Sequence, residues 1–314
     1  MTRVLEFLRA HTIFALILLL AVFMLGVEGV RPGTVTPLWA SNVLLFAAPL
    51  AIMAAGQTMV MLTGGIDLSV ASVATGSAYL LATNASSGNL IAISLALLLG
   101  VIVGIVNGVG VALLGVQPLV MTLGTGLMTS GVMIVYGQRM MASTPHVPAI
   151  IQTLGAGKVF GLVPIDLFLW IAISALILFG LHRTGFGRLL YAVGDNREAC
   201  HLAGVRVWRV LFADYFLCAI LAAITGLVLV GGTNAADLSL ADGFLLPSVA
   251  AVVIGGTSIF GGRGGYAGTI VGALILTVLT SLMTLLDVSE PIRQILYGAI
   301  ILGLATAYAR LTES

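Results

Sequence analysis

Ten stretches of this chain are apolar at close to the length of a bilayer crossing, and that recurrence constrains the fold before any motif is considered. A helix crossing about 30 Å of hydrocarbon needs roughly 20 mostly apolar residues. The stretches are 12–28, 39–62, 68–84, 89–115, 118–137, 164–182, 210–231, 246–260, 266–286 and 292–309, and the short eighth predicts a broken or re-entrant helix. Composition agrees: 60% of the 314 residues are apolar and 8% are charged, against about 45–50% and about 25% in soluble domains. So few charges cannot cover so much apolar surface in water. A soluble enzyme, a disordered chain and a nucleic-acid binder are not expected, and the net charge of +1 offers no basic surface for phosphates. The expected fold is all-α, one polytopic membrane domain over residues 1–314 with about ten transmembrane helices. The first stretch reads as a retained anchor and not as a cleaved leader.

Sidedness follows from the cations. With the N-terminus inside, the inner segments hold Arg3, Arg9, Arg183, Arg188, Arg197, Arg206, Arg209, Arg263 and Arg310. The outer segments hold only Arg31, Arg139, Lys158 and Arg293. Nine against four places both termini in the cytoplasm by the positive-inside rule, with five of the nine in the 183–209 loop. The outer stretch 138–163, with Pro145, Pro148, Gly155 and Gly157, is expected to form an ordered or semi-ordered cap. Met61-Leu62-Thr63-Gly64-Gly65 and Val253-Ile254-Gly255-Gly256 each close a span running inward. The echo points to an internal duplication, with chance recurrence in a glycine-rich chain as the competing reading.

Several chemistries are missing. Lys158 is the only lysine and Val159 follows it, so no phosphate loop of the Gly-x-x-x-x-Gly-Lys-Ser/Thr form exists. Neither a His-Glu-x-x-His zinc helix nor a Gly-x-Ser-x-Gly elbow is present, and the four histidines are scattered. No catalytic residue, metal ligand or cofactor is therefore expected. Cys200 falls in the inner loop and Cys218 in a span, and both read as packing residues. Proton- or sodium-coupled carriers keep functional carboxylates at membrane depth, where only Asp67 and Asp214 are candidates.

The clearest local structure is the inner loop. Asp195 is expected to cap a short helix with Glu198 three residues on, and Gly204 to end it in the left-handed region. Ala199, Leu202 and Ala203 then share one face, with Arg197 and His201 directed elsewhere. Such a helix either rests on lipid headgroups or, as its small face favours, docks into a protein groove. Within the spans, Asp67 can cap the third span or stand as a charge in the bilayer. Gln57, Thr58 and Asn107 can bond a passing polar solute or neighbouring helices. Gly100, Gly104 and Gly108, like Gly268 and Gly272, repeat every four residues, as close helix packing requires.

The chain resembles the permease subunits of ribose-type ABC sugar importers, in the branched-chain amino acid/ribose permease family. The likeness rests on Gly56-Gln57-Thr58-Met59-Val60 leading into Thr63-Gly64-Gly65-Ile66-Asp67-Leu68-Ser69, then Asn107-Gly108 and Thr122-Leu123-Gly124. It continues in the Gly187-to-Gly204 loop, in Ala250-Ala251-Val252-Val253-Ile254-Gly255-Gly256-Thr257-Ser258 and in Gly261-Gly262-Arg263-Gly264. Cys200-His201 departs from the small apolar pair of the relatives. The resemblance implies a translocation subunit of the inner membrane that works with a second permease, identical or similar, a cytoplasmic ATP-binding subunit and a periplasmic sugar-binding protein. It implies that residues 195–204 are the coupling helix, with Gly194, Asp195, Asn196, Glu198, Ala199, Leu202, Ala203 and Gly204 at the ATPase. Gln57, Thr58, Asp67 and Asn107 are the candidates for the translocation path. A secondary carrier for a small polar solute is the alternative.

Overall fold

The computed structural model describes residues 12–139 and 146–312. In chain order its helices are α1 (Thr12–Val30), α2 (Pro37–Leu62), α3 (Val70–Asn84), α4 (Asn89–Ala112), α5 (Pro118–Arg139), α6 (Ala149–Ala156) and α7 (Ile165–Arg183). There follow α8 (Gly185–Asp195), α9 (Arg197–Leu202), α10 (Val207–Thr233), α11 (Leu245–Ile254), α12 (Tyr266–Leu285) and α13 (Glu290–Thr312). Strands β1 (Lys158–Val159) and β2 (Val163–Pro164) form one antiparallel hairpin. The protein is an all-α polytopic membrane protein.

Among the described residues seven helices, α1, α2, α4, α5, α7, α10 and α12, are long and apolar enough to cross a membrane. Each of the ten expected spans contains a helix, but ten full crossings are not reached. Helix α3 has 15 residues and α11 only 10, a rise of about 15 Å, half the hydrocarbon thickness. Helix α13 opens on Glu290-Pro291-Ile292-Arg293 and is not among the seven. The eighth stretch was expected to run to residue 260, yet its helix stops at Ile254.

The reason is a backbone motif that also ends α2. Gly64 has φ +75° and Gly256 φ +88°. Gly64 N–H donates to the Met61 carbonyl and Gly65 N–H to that of Val60, at 2.9 and 3.0 Å. Gly256 N–H donates to Val253 and Thr257 N–H to Val252, at 3.0 and 3.1 Å. Both are Schellman stops, in which a left-handed glycine lets two amides satisfy the last carbonyls. The glycine echo in the sequence is thus one repeated structural device: a helix, a glycine break, and a helix running back.

Helices α2 and α10 form the centre. Residues 47–62 of α2 are buried without interruption, and α10 packs against α2, α3, α4 and α6. Close approach comes from small residues, which is how helices associate where lipid removes the hydrophobic drive. A Cβ on Gly100 would meet Ala219 and Ala223 of α10; one on Gly104 would meet Phe216, and one on Gly108 Phe212. Gly268 and Gly272 lie against Gly255 and Ala251 in the same way. The four-residue glycine spacing is therefore a packing signal, as expected.

Residues 146–164 form an ordered cap, while Pro145 lies outside the described residues. Helix α6 seats Gly155 against the α10 backbone at Val228 and Gly231, and Lys158 Nζ donates to Asn42 Oδ1 at 2.8 Å. Helix α7, 19 residues long, carries the chain from this cap to the opposite end, where α8 and α9 lie.

Candidate functional site

The end opposite the cap is built around α8 and α9. The Thr184 hydroxyl caps α8 by accepting from Gly187 N–H at 3.3 Å. Gly187, Leu190 and Val193 turn inward, and Arg188 and Ala192 turn out. Asn196, and not Asp195, caps α9: its Oδ1 accepts from Ala199 N–H at 2.8 Å, and Asp195 is the last residue of α8. The residue three beyond the cap is then Ala199, so the expected Asp195–Glu198 capping pair does not form. Glu198 keeps only the favourable place of an acid in a first helical turn. Gly204, at φ +79°, closes α9 as expected, with Gly204 N–H on His201 and Val205 N–H on Cys200, both at 3.0 Å.

The small apolar face is uncovered. Ala199, Ala203 and Leu202 are exposed, Leu202 by 79%, whereas Cys200 faces the protein interior. Of the departing Cys200-His201 pair, Cys200 is thus turned inward, while His201 stays exposed on α9. Beside α9 opens a cleft of about 500 Å³ lined by Ala112, His201, Arg206 and Trp208 among others.

Beneath this surface, α8 and α9 hold both glycine breaks. Arg197 Nη2 donates to the Thr63 carbonyl at 2.6 Å. Tyr191 OH donates to the Gly264 carbonyl at 3.0 Å, and burial raises its pKa, keeping it a donor. The breaks also bond each other, Gly262 N–H to the Leu62 carbonyl at 2.9 Å. Gly194 sits where they meet, and a Cβ there would collide with the Leu62 carbonyl and the Gly262 amide. Arg197 and Tyr191 were not singled out from the sequence as contacts. Spacing on α9 places Arg197 off the docking face but cannot say that it reaches back 134 residues to Thr63.

Three of the four path candidates lie around the first break. The Gln57 side chain pairs with the Asp67 backbone, donating to its carbonyl at 2.5 Å and accepting from its N–H at 3.2 Å. Asp67 Oδ1 accepts from the Ser69 amide at 2.8 Å and hydroxyl at 2.6 Å. That bond pattern is an Asx turn leading into α3, two residues ahead of the helix cap Ser69. Asn107 Nδ2 donates to Ser69 Oγ at 2.9 Å and its Oδ1 accepts from Thr125 at 2.6 Å. Thr63 donates to Asp214 Oδ2 at 2.8 Å, and Thr122 bridges the Leu68 amide and the Ile66 carbonyl. Gln57, Asp67, Asn107 and Asp214 are all fully buried. Thr58 is separate: it pairs with Ala54 in its own helix and with Thr269 of α12. The network can hold the non-helical 63–69 segment in one shape by tying it to α2, α4, α5 and α10.

Comparison with known proteins agrees with this architecture. The family model described as "Branched-chain amino acid transport system / permease component" matches residues 39–305. The ribose import permease RbsC of Escherichia coli K12 is 35% identical over 295 residues, covering 93% of this chain and 90% of the relative. RbsC of Bacillus subtilis 168 is 32% identical, covering 90% and 88%. The autoinducer 2 import system permease LsrC of Yersinia enterocolitica is 32% identical, covering 83% and 72%. No solved structure matches the chain.

Proposed function

Because the chain belongs to the branched-chain amino acid transport system permease family, we propose that it is the membrane subunit of an ATP-driven importer and carries a sugar of monosaccharide size across the inner membrane. The observation that carries the coupling part of this reading is α9 with α8 beside it: α9 is a capped helix outside the spans with an uncovered small apolar face and bonds the first break through Arg197, and α8 bonds the segment after the second through Tyr191. A partner that moves this helix moves the ends of α2 and α11 with it. Gly194, Asp195, Asn196, Glu198, Ala199, Leu202, Ala203 and Gly204 form the surface and stops of the coupling segment. The partners are a second permease, a cytoplasmic ATP-binding subunit and a periplasmic sugar-binding protein. Gln57, Asp67 and Asn107 serve the path by holding the first break in shape.

Two measurements test this reading. The purified chain is expected to show no ATP hydrolysis, since its one lysine lacks a phosphate-binding loop. Turnover by a homogeneous preparation without an ATPase partner would refute the subunit assignment. For sidedness, Lys158→Cys should react with an impermeant thiol reagent on intact cells and Glu198→Cys should not. The two residues stand at opposite ends of α7, and the inner loop carries the arginine excess. The reverse labelling would invert the topology.

A further inference from the structure

Tyr266, the first residue of α12, carries a hydroxyl that three helices share in the interior. Its OH donates to the Ala51 carbonyl of α2 at 3.0 Å and accepts from Trp170 Nε1 of α7 at 3.2 Å. Ser174 Oγ, one turn further along α7, donates to the same oxygen at 3.4 Å. A phenol has one proton to give and two lone pairs, so these bonds use it completely. Tyr266 and Ala51 are wholly buried, and Trp170 and Ser174 nearly so. Phenylalanine would fill the same space, and a buried hydroxyl costs free energy unless its bonds are made. The oxygen is there for its partners.

Ala51 stands beside the weakest turn of α2. Pro49, inside the helix and two residues before it, has no N–H for the Leu45 carbonyl, and its ring crowds that carbonyl. Proline is where a long helix bends. Beyond it, residues 50–62 are held at three levels by α12 and the segment that leads into it. Tyr266 bonds Ala51, Thr269 pairs with Thr58 at 2.9 Å, and Gly262 N–H bonds the Leu62 carbonyl. The same segment is gripped from α7 and α8, which join directly at Thr184. Tyr191 of α8 holds Gly264, and two residues later Trp170 and Ser174 of α7 hold Tyr266. A shift of α8 against α7 must therefore be taken up between Gly264 and Tyr266.

We propose that the Tyr266 hydroxyl is a positioning group that carries movement of α8 from the membrane surface to the Pro49 turn of α2, acting on the Ala51 carbonyl. When a partner displaces α8, Gly264 follows through Tyr191, the first turn of α12 follows Gly264, and Tyr266 draws Ala51. Helix α2 then bends at Pro49 instead of sliding as a rod. The Ala51 carbonyl can serve without leaving its helix, since one lone pair takes the intrahelical bond and the other takes Tyr266. The source of the movement rests on the importer reading above.

The test uses the complete importer, with its ATPase and binding protein, in liposomes. Phe46, 63% exposed on the outer part of α2, is replaced by cysteine and carries a nitroxide; both native cysteines are buried. ATP with vanadate is expected to change the nitroxide spectrum in the otherwise wild-type chain. Tyr266→Phe is expected to abolish that change while the ATPase still co-purifies. Ser174→Ala, which leaves the bond to Ala51, is expected to keep it. Pro49→Ala restores the missing N–H without touching the hydroxyl and is expected to reduce it. With D-ribose as the transported probe, Tyr266→Phe should lower the maximal uptake rate roughly tenfold or more, at an unchanged half-saturating concentration of loaded binding protein. A hydroxyl that only stabilised the fold would lower the amount of inserted chain and leave the rate per molecule alone. The proposal is overturned if the spectral change persists in Tyr266→Phe or Pro49→Ala, is lost equally in Ser174→Ala, or is absent from every variant. Wild-type liposomes that show the change but move no D-ribose would leave the proposal standing and remove the sugar from the importer reading.

Discussion

Ala199→Arg is expected to abolish sugar uptake while the chain inserts at normal levels. Ala199 is exposed on α9 and carries no contact that the fold needs, so the substitution leaves α9 intact. Surface changes of this kind usually fall within about 0.5 kcal/mol of neutral for stability. A guanidinium in a groove shaped for a methyl group is different: it must be desolvated without a partner, or the groove must open. The ATPase should therefore no longer co-purify. Gly204→Val should act alongside it by another route. Nothing lies within 4 Å of a Cβ there, but φ is +79°, which a β-branched residue reaches only with strain. Arg139→Ala, at the cap end of α5, is the control and should leave assembly intact. Uptake at wild-type rates in both Ala199→Arg and Gly204→Val would show that α9 merely rests on lipid.

The second large effect is expected at Arg197, where assembly and transmission separate. Arg197→Ala keeps the docking face but removes the bond to the Thr63 carbonyl. A hydrogen bond to a charged group contributes about 1.5–3 kcal/mol, enough to change a two-state coupling by roughly 10- to 100-fold. The ATPase should still co-purify, and its stimulation by the loaded binding protein should fall at least tenfold. Arg197→Lys should recover part of it, since the charge remains while the planar fork is lost. Gly194→Val should be more severe, because its side chain would enter the place where the two breaks bond each other. Full stimulation in Arg197→Ala would mean that the motion of α9 reaches the spans by another path, through α10 or α8.

Much of the site was legible where local rules suffice. A left-handed glycine after an apolar run marks a helix stop, so Gly204 and the two Gly-Gly breaks could be placed from the chain alone. Cap identity was less secure, because Asp195 and Asn196 are adjacent and both suit the cap position. The choice fell to Asn196 when α8 ran on through Asp195. The eighth stretch reads as short and broken, and only its far edge, set at residue 260, lies too far along. Apolar residues continue past Ile254 to Phe260, but Gly256 turns the chain before they can extend the helix. Arg197 and Tyr191 had no local mark at all. Each depends on a partner far along the chain, Thr63 or Gly264.

The sequence by itself determined that this protein lives in a bilayer, that it is all-α, that glycine breaks end two of its helices and Gly204 a third, and that its one lysine stands outside any phosphate-loop pattern. These follow from composition, span length and glycine position, which act within one segment. Only the tertiary structure decided that α2 and α10 are central while α4 and α5 leave apolar faces exposed. Lipid and protein interior are equally apolar, so hydropathy cannot tell a central helix from a peripheral one. It also decided that buried Asp67 and Asn107 hold a loop together while Thr58 ties α2 to α12. A polar side chain in a membrane helix has the same letter whether it faces a neighbour or a cleft, and only the packing of the other helices distinguishes them.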